Sequence, residues 1–271
     1  MPYFHIPTVH LGPIPIHPFG VLVAIGCLLG ANLVEKRALK TGLDMDATRS
    51  LITWILVCGF VGAHVFDVLA YTPQKLVERP WLILEIWNGI SSFGGFMGAL
   101  VGFFVFLRRR GLPYLPYADA LAMGLAPGWV FGRAGCSIAH DHIGRLTTFF
   151  LAVRYPADHE PSGVRHNLGF YELLYAILIA ALLYHLAKKP RPAGVLVGVM
   201  AVAYAPVRFF LDFLRATDIT AADPRYAGLT PGQWLAIATL LVGIAVIRRA
   251  REQNVVLAFR APAPAASAGS G

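Results

Sequence analysis

Charge is in short supply in this sequence. Only 14% of its 271 residues are charged, against 56% hydrophobic, where a soluble domain carries about a quarter charged residues. With a mean hydropathy of +0.60, that shortage excludes an ordinary soluble globule and points to lipid as the solvent. Cysteine is scarcer still. Cys27, Cys58 and Cys136 are odd in number and scattered, which excludes a disulfide framework and any CxxC metal pattern. No Lys or Arg precedes the first apolar run, which follows Pro13, Pro15 and Pro18. The basic region of a cleaved signal peptide is therefore missing, and the run is expected to persist as a first helix. No internal repeat is evident, so nothing supports an inverted-repeat transporter.

The apolar material comes in blocks close to the ~20 residues that cross a bilayer. Seven spans are expected, over residues 19–34, 50–71, 90–107, 117–131, 170–186, 194–214 and 233–247. Asp119 and Pro127 interrupt the fourth. The fold class is thus an all-α polytopic membrane protein, one helical domain over 1–253. A small loop region on the outer face is expected between spans four and five, and an Ala/Pro/Ser/Gly-rich, disordered tail over 254–271. Trp81 and Trp87 read as interfacial anchors.

The net charge of +8 does not mark a nucleic-acid binder, because the basic residues sit in short clusters between apolar blocks. Lys36, Arg37, Lys40, Arg49, Arg108, Arg109, Arg110, Lys188, Lys189, Arg191, Arg248, Arg249, Arg251 and Arg260 all fall on one side of the seven spans. Positive charge inside makes that side cytoplasmic, with the N-terminus outside and the C-terminus inside.

That topology gathers the chemically capable residues in the outer half of the bilayer. Tyr204, Arg208, Asp212 and Arg215 recur at i, i+4, i+8 and i+11, so they share one helix face. An arginine in a span costs at least ~2.5–3.5 kcal/mol and must face protein or water. Arg208 and Asp212 could form a helix-stapling ion pair. With Arg133, at the end of span four, Arg208 could instead clamp a phosphate. Gly94, Gly95 and Gly98 fit small-residue helix packing, or backbone N–H groups offered to an anionic headgroup. Tyr171 and Glu172 open span five, and Gln233 opens span seven.

The segment from Gly132 through Arg133, Gly135, Cys136, His140, Asp141 and His142 to Arg145 is the densest in polar groups. Cys136, His140 and His142 match no established zinc spacing, so no metal and no cofactor are expected. A His/Asp acid–base role and plain surface histidines both remain open.

These landmarks, in this order, resemble the phosphatidylglycerol–prolipoprotein diacylglyceryl transferases. The likeness runs from about Gly20 to Gln233. It rests on Trp87-Asn88-Gly89 leading into Gly94-Gly95-x-x-Gly98, then Gly132-Arg133-x-Gly135, His166 with Tyr171-Glu172, the Tyr204-to-Asp218 arginine segment, and Gly232-Gln233. The resemblance implies a multi-pass enzyme of the bacterial inner membrane. Such an enzyme transfers diacylglyceryl from phosphatidylglycerol to the lipobox cysteine thiol in the signal-peptide region of a preprolipoprotein, and glycerol 1-phosphate leaves. Phosphatidylglycerol, the preprolipoprotein and membrane lipid are the implied partners.

Arg133, Arg208, His140, Asp141 and His142 are then the expected catalytic residues. Gly94, Gly95, Gly98, Gly135, Tyr204, Arg215 and Glu172 are the expected lipid-binding set. Several positions depart from the family pattern. Its histidine before Gly-Gly is Phe93, its N-terminal tyrosine is Phe19, and a span-two arginine is His64. The asparagine after Arg-x-Gly is Cys136, and the following Asn-Gly-Glu is Ala139-His140-Asp141. A divergent lipid- or lipopeptide-binding protein without catalysis, or a transferase with another acceptor, is the alternative reading. A channel is disfavoured, because the charges trace no path across the bilayer.

Overall fold

The computed structural model describes residues 1–259 apart from His5, Pro13, 86–88, 90 and 220–222. Trp87, Asn88 and Arg260, with the tail beyond it, lie outside the described residues. Six helices among those described are long and apolar enough to cross a membrane. They bear out the polytopic reading, and their lipid-side positions stay uncovered: Leu28, Leu178 and Leu241 are each more than 60% exposed. In a bilayer that exposure costs nothing, since hydrocarbon takes the place of water.

By its internal contacts the chain forms two compact units. The first holds residues 1–41 and 118–271. It opens with a short hairpin of β1 (Val9–Leu11) and β2 (Ile14–Ile16), followed by α1 (Pro18–Thr41). The second, residues 42–117, contains α2 (Met45–Phe66), the short α3 (Pro73–Glu78) and α4 (Ser92–Arg110). Asp44 caps α2 through the Ala47 N–H, and Gly111 ends α4 at φ 62°, a left-handed turn that glycine adopts freely.

In the second unit α2 and α4 meet along glycines. A Cβ on Gly62 would stand 2.7 Å from the Gly94 carbonyl oxygen and 2.8 Å from the Gly98 Cα. The small-residue reading therefore accounts for Gly94, Gly95 and Gly98. Ser91 caps α4 by accepting the Gly94 N–H, and its carbonyl takes the Gly95 N–H, so neither amide is left over for a headgroup. Phe93 packs on Phe66, ring centroids 5.0 Å apart. His64 is buried, its ring nitrogens 3.2–3.3 Å from the Leu82, Ile83 and Gly89 carbonyls.

The first unit continues with α5 (Tyr114–Ala139), which crosses into it at Ala118, then β3 (Ile143–Leu146), β4 (Val153–Tyr155), β5 (Gly163–Asn167), α6 (Leu168–Leu186), α7 (Val195–Leu211) and α8 (Pro231–Gln253). The expected fourth span lies within α5, which is helical across Asp119 and Pro127 but is not among the six helices apolar enough to cross. Asp119 is not loose there. Its carboxylate accepts the Gly194 and Val197 N–H groups at the start of α7, both at 2.9 Å, which satisfies a buried acid and a helix N-terminus together.

The loop region expected between spans four and five is a three-stranded antiparallel sheet in the order β3-β5-β4. Residues 254–259 lie against the first unit. Val255 accepts the Ala193 N–H at 2.9 Å, and Lys40 Nζ sits 3.9 Å from the Phe259 ring centre.

Candidate active site

Four helix ends of the first unit bring the polar residues together: the end of α5, the start of α6, the end of α7 and the start of α8. Each is built locally. Asn167 caps α6 by accepting the Phe170 N–H at 3.0 Å, which sets Glu172 in its second turn. Thr230 and Gln233 close a reciprocal capping box on α8.

Glu172 is the hub. It is 4% exposed and bridges two arginines, with Oε2 2.9 Å from Arg133 Nε and Oε1 3.7 Å from Arg208 Nε. The Tyr204 hydroxyl donates to Oε2 at 3.3 Å. Arg208 donates in turn to Asp212 Oδ1 at 2.5 Å, and the Thr230 hydroxyl donates to Oδ2 of the same carboxylate. Arg215 stands 3.5 Å from Asp212 and 2.7 Å from Asp223. Arg133 also lies over the Trp129 ring, 4.7 Å from its centre, and Trp129 meets Tyr204 edge-on at 6.2 Å.

The structure thus brings Arg133, Glu172, Tyr204, Arg208, Asp212 and Arg215 into one network. It contains the Arg208–Asp212 pair that was one of the two sequence readings. It also contains the two arginines side by side that the other reading needs. Gly135 lies on the same helix as Arg133, where a Cβ would stand 2.7 Å from Phe19 Cδ2. Gly94, Gly95 and Gly98 belong to the second unit.

The two histidines and the aspartate after α5 separate. His140 adopts φ 53° and ends the helix in the left-handed region. Its ring is buried, stacked 4.7 Å from the Tyr3 ring. Its Nδ1 faces the Tyr155 hydroxyl and the Asn167 amide, both at 3.2 Å, while Nε2 faces the Phe4 carbonyl at 3.1 Å. Two donors at Nδ1 and an acceptor at Nε2 place the ring proton on Nε2. Burial raises the Tyr155 phenol above its ordinary value, which keeps that hydroxyl a donor. His140 therefore organises the sheet and the N-terminal segment, and its lone pair is taken.

Asp141 and His142 turn the other way, toward Cys136. His142 Nδ1 is buried without a hydrogen-bond partner and lies 3.6 Å from Asp141 Oδ1. Burial holds the His142 imidazole below the usual histidine range, so the ring is neutral at pH 7. Arg133 Nη1 donates to Cys136 Sγ at 3.9 Å. Beside these residues, His140, Asp141, Arg215 and Asp223 help line a cavity of about 280 Å³.

Sequence reasoning passed over Arg165, Asn167, Tyr155 and Trp129. Arg165 is 5% exposed and grips Asp218 with both terminal nitrogens, at 3.0 and 2.5 Å.

The family model for prolipoprotein diacylglyceryl transferase matches residues 7–249. A phosphatidylglycerol–prolipoprotein diacylglyceryl transferase of Chromohalobacter salexigens is 30% identical over 250 residues, 92% of this chain and 93% of that protein. One of Legionella pneumophila (strain Paris) is 30% identical over 240 residues, covering 86% and 92%. One of Nitratidesulfovibrio vulgaris (strain DP4) is 28% identical over 245 residues, covering 89% and 92%. The match spans both units and the whole arginine network, and the chain belongs to the prolipoprotein diacylglyceryl transferase family.

Proposed function

We propose that this protein transfers diacylglyceryl from phosphatidylglycerol to the lipobox cysteine of a preprolipoprotein, in the bacterial inner membrane with the arginine network toward the outer face. The acceptor sulfur bonds to the glyceryl carbon, the carbon–oxygen bond to phosphate breaks, and glycerol 1-phosphate leaves with the electron pair. The observation that carries this reading is the pair of arginines held on opposite oxygens of one buried carboxylate.

A departing phosphate gains negative charge, and preorganised cations in a poorly hydrated site stabilise that charge more than they stabilise the substrate. Arg133 and Arg208 have ten N–H donors between them, more than Glu172, Tyr204 and Asp212 occupy. The Trp129 Nε1 group is buried without a hydrogen-bond partner among the described residues and adds a further donor beside Arg133. The cavity next to Asp141 and Arg215 gives the glycerol phosphate room.

The acceptor thiol, with an ordinary pKa of about 8.5, has to lose its proton to become a nucleophile. The family's histidine position is Phe93, which cannot accept one. His142, neutral and with an unpartnered ring nitrogen, is the base in this reading, with Asp141 beside it to hold the imidazolium once formed. One observation favours a different reading, a lipid-binding protein without catalysis, and that is Phe93 itself.

Purified protein with phosphatidylglycerol and a lipobox peptide decides between them. Glycerol phosphate release above a detergent blank is expected, and none above blank excludes the transferase. Phe93→His is expected to raise turnover, measured in the same assay.

A further inference from the structure

Cys136, Asp141 and His142 form a cluster with chemistry of its own. Cys136 Sγ, a carboxylate oxygen of Asp141 and a ring nitrogen of His142 all lie within 4.8 Å of one another. The trio set aside on spacing in the sequence was a different one, with His140 in place of Asp141. The left-handed turn at His140 removes that ring to Tyr155 and Phe4 and swings the next two residues back onto the helix end.

The make-up and spacing of this cluster make it more than a polar corner. The donor set pairs a soft sulfur with an imidazole and a carboxylate, the combination that suits zinc and similar ions better than magnesium or calcium. Thiolate and carboxylate together supply two negative charges, which neutralise a dication. His142 Nδ1 is buried with no hydrogen-bond partner, an orphaned donor atom at the cluster itself. Tetrahedral zinc places such donors about 3.3–3.6 Å apart. Asp141 Oδ1 and His142 Nδ1 are already 3.6 Å apart, so closure needs roughly 1 Å of side-chain movement.

We infer that Cys136, Asp141 and His142 bind a zinc-class divalent cation through three donors, with the fourth position open to solvent. The inference stands on this geometry and not on the transferase reading: a cation bound there occupies His142 and stops it from serving as base, so the two roles belong to separate states of the chain.

The test titrates cobalt(II) alone into the full chain, purified in detergent without a histidine tag and under reducing conditions. Thiolate-to-cobalt charge-transfer absorption and the intensity of the visible bands report sulfur ligation and coordination number. One cobalt per chain with a thiolate band is expected, displaced by zinc(II). Cys136→Ser is expected to abolish the band, and His142→Gln to weaken binding at least tenfold. A Cys27→Ser/Cys58→Ser variant should keep the full signal. Asp141 is exposed, so Asp141→Asn leaves folding undisturbed and is also expected to weaken binding at least tenfold. The site is refuted if wild type with native circular dichroism gives no thiolate band, or if Asp141→Asn binds cobalt as tightly as wild type.

Discussion

Glu172→Gln is the substitution that most directly probes the arginine pair. The side chain keeps its size and an acceptor oxygen but loses the charge that two guanidiniums share. Arg133, Arg208, Glu172 and Asp212 sum to zero, and the variant leaves one positive charge over among groups that are 4–18% exposed, apart from Asp212 at 1%. Two unit charges about 4 Å apart interact by about 4 kcal/mol at an effective dielectric of 20. Breaking a buried pair from one side costs about 3–5 kcal/mol. At about 2–4 °C per kcal/mol for a chain of this size, the melting temperature should fall by about 6–20 °C, followed by circular dichroism in an uncharged detergent. The sign of the ligand effect is the sharper test. An anionic headgroup restores neutrality only in the variant, so phosphatidylglycerol should recover at least half of the loss, and a zwitterionic lipid should not. A variant melting within about 2 °C of wild type, or one rescued equally by both lipids, refutes the account of Glu172 as the charge bridging Arg133 and Arg208.

Arg208→Ala is expected to lower glycerol phosphate release by about 10²–10³-fold while the protein stays folded, because Arg215 and Thr230 still hold Asp212; an unchanged rate makes Arg208 a structural ion pair. With His142 as the base, turnover is present where the ring is neutral and is lost as pH falls through its pKa, which burial has moved below the usual histidine range. A pH–rate profile should therefore hold its plateau to about pH 6.5 or lower, and His142→Gln should remove that acid limb. Gly62→Ala drives a Cβ against the backbone of Gly94 and Gly98, an overpacking cost of about 1–3 kcal/mol, read as a lower melting temperature.

How far the sequence reached depends on the scale of the signal. The spans were legible because each must supply its own apolar length, whatever its neighbours do. The end of α5 was not, since apolarity stops at Phe131 while backbone hydrogen bonding continues to Ala139. Arg133 and Cys136 therefore sit on one continuous helix. Tyr204 and Arg208 were legible from helical spacing, but α7 ends at Leu211, so Asp212 opens a short 3-10 turn and Arg215 follows in extended backbone; the organising carboxylate, Glu172, arrives from another helix and gave no periodic signal. The sheet went unread because its strands are three to five residues long and alternate too few positions to register. His140 was weighed with Cys136 as though the segment were uniform. A single positive φ separated them, and no composition or spacing rule carries that information.

The helix that carries each charge also fixes when that charge enters the membrane. Translation delivers Arg133 with α5, Glu172 with α6, Arg208 with α7 and Asp212 just after it. Along that order the running charge of the network alternates between one and zero and never reaches two. An arginine costs roughly 2.5–3.5 kcal/mol to insert alone, yet when α7 emerges a carboxylate already waits on its predecessor. The order of the charges along the chain is thus an assembly schedule, in which each arginine is followed by a carboxylate before the next arginine arrives.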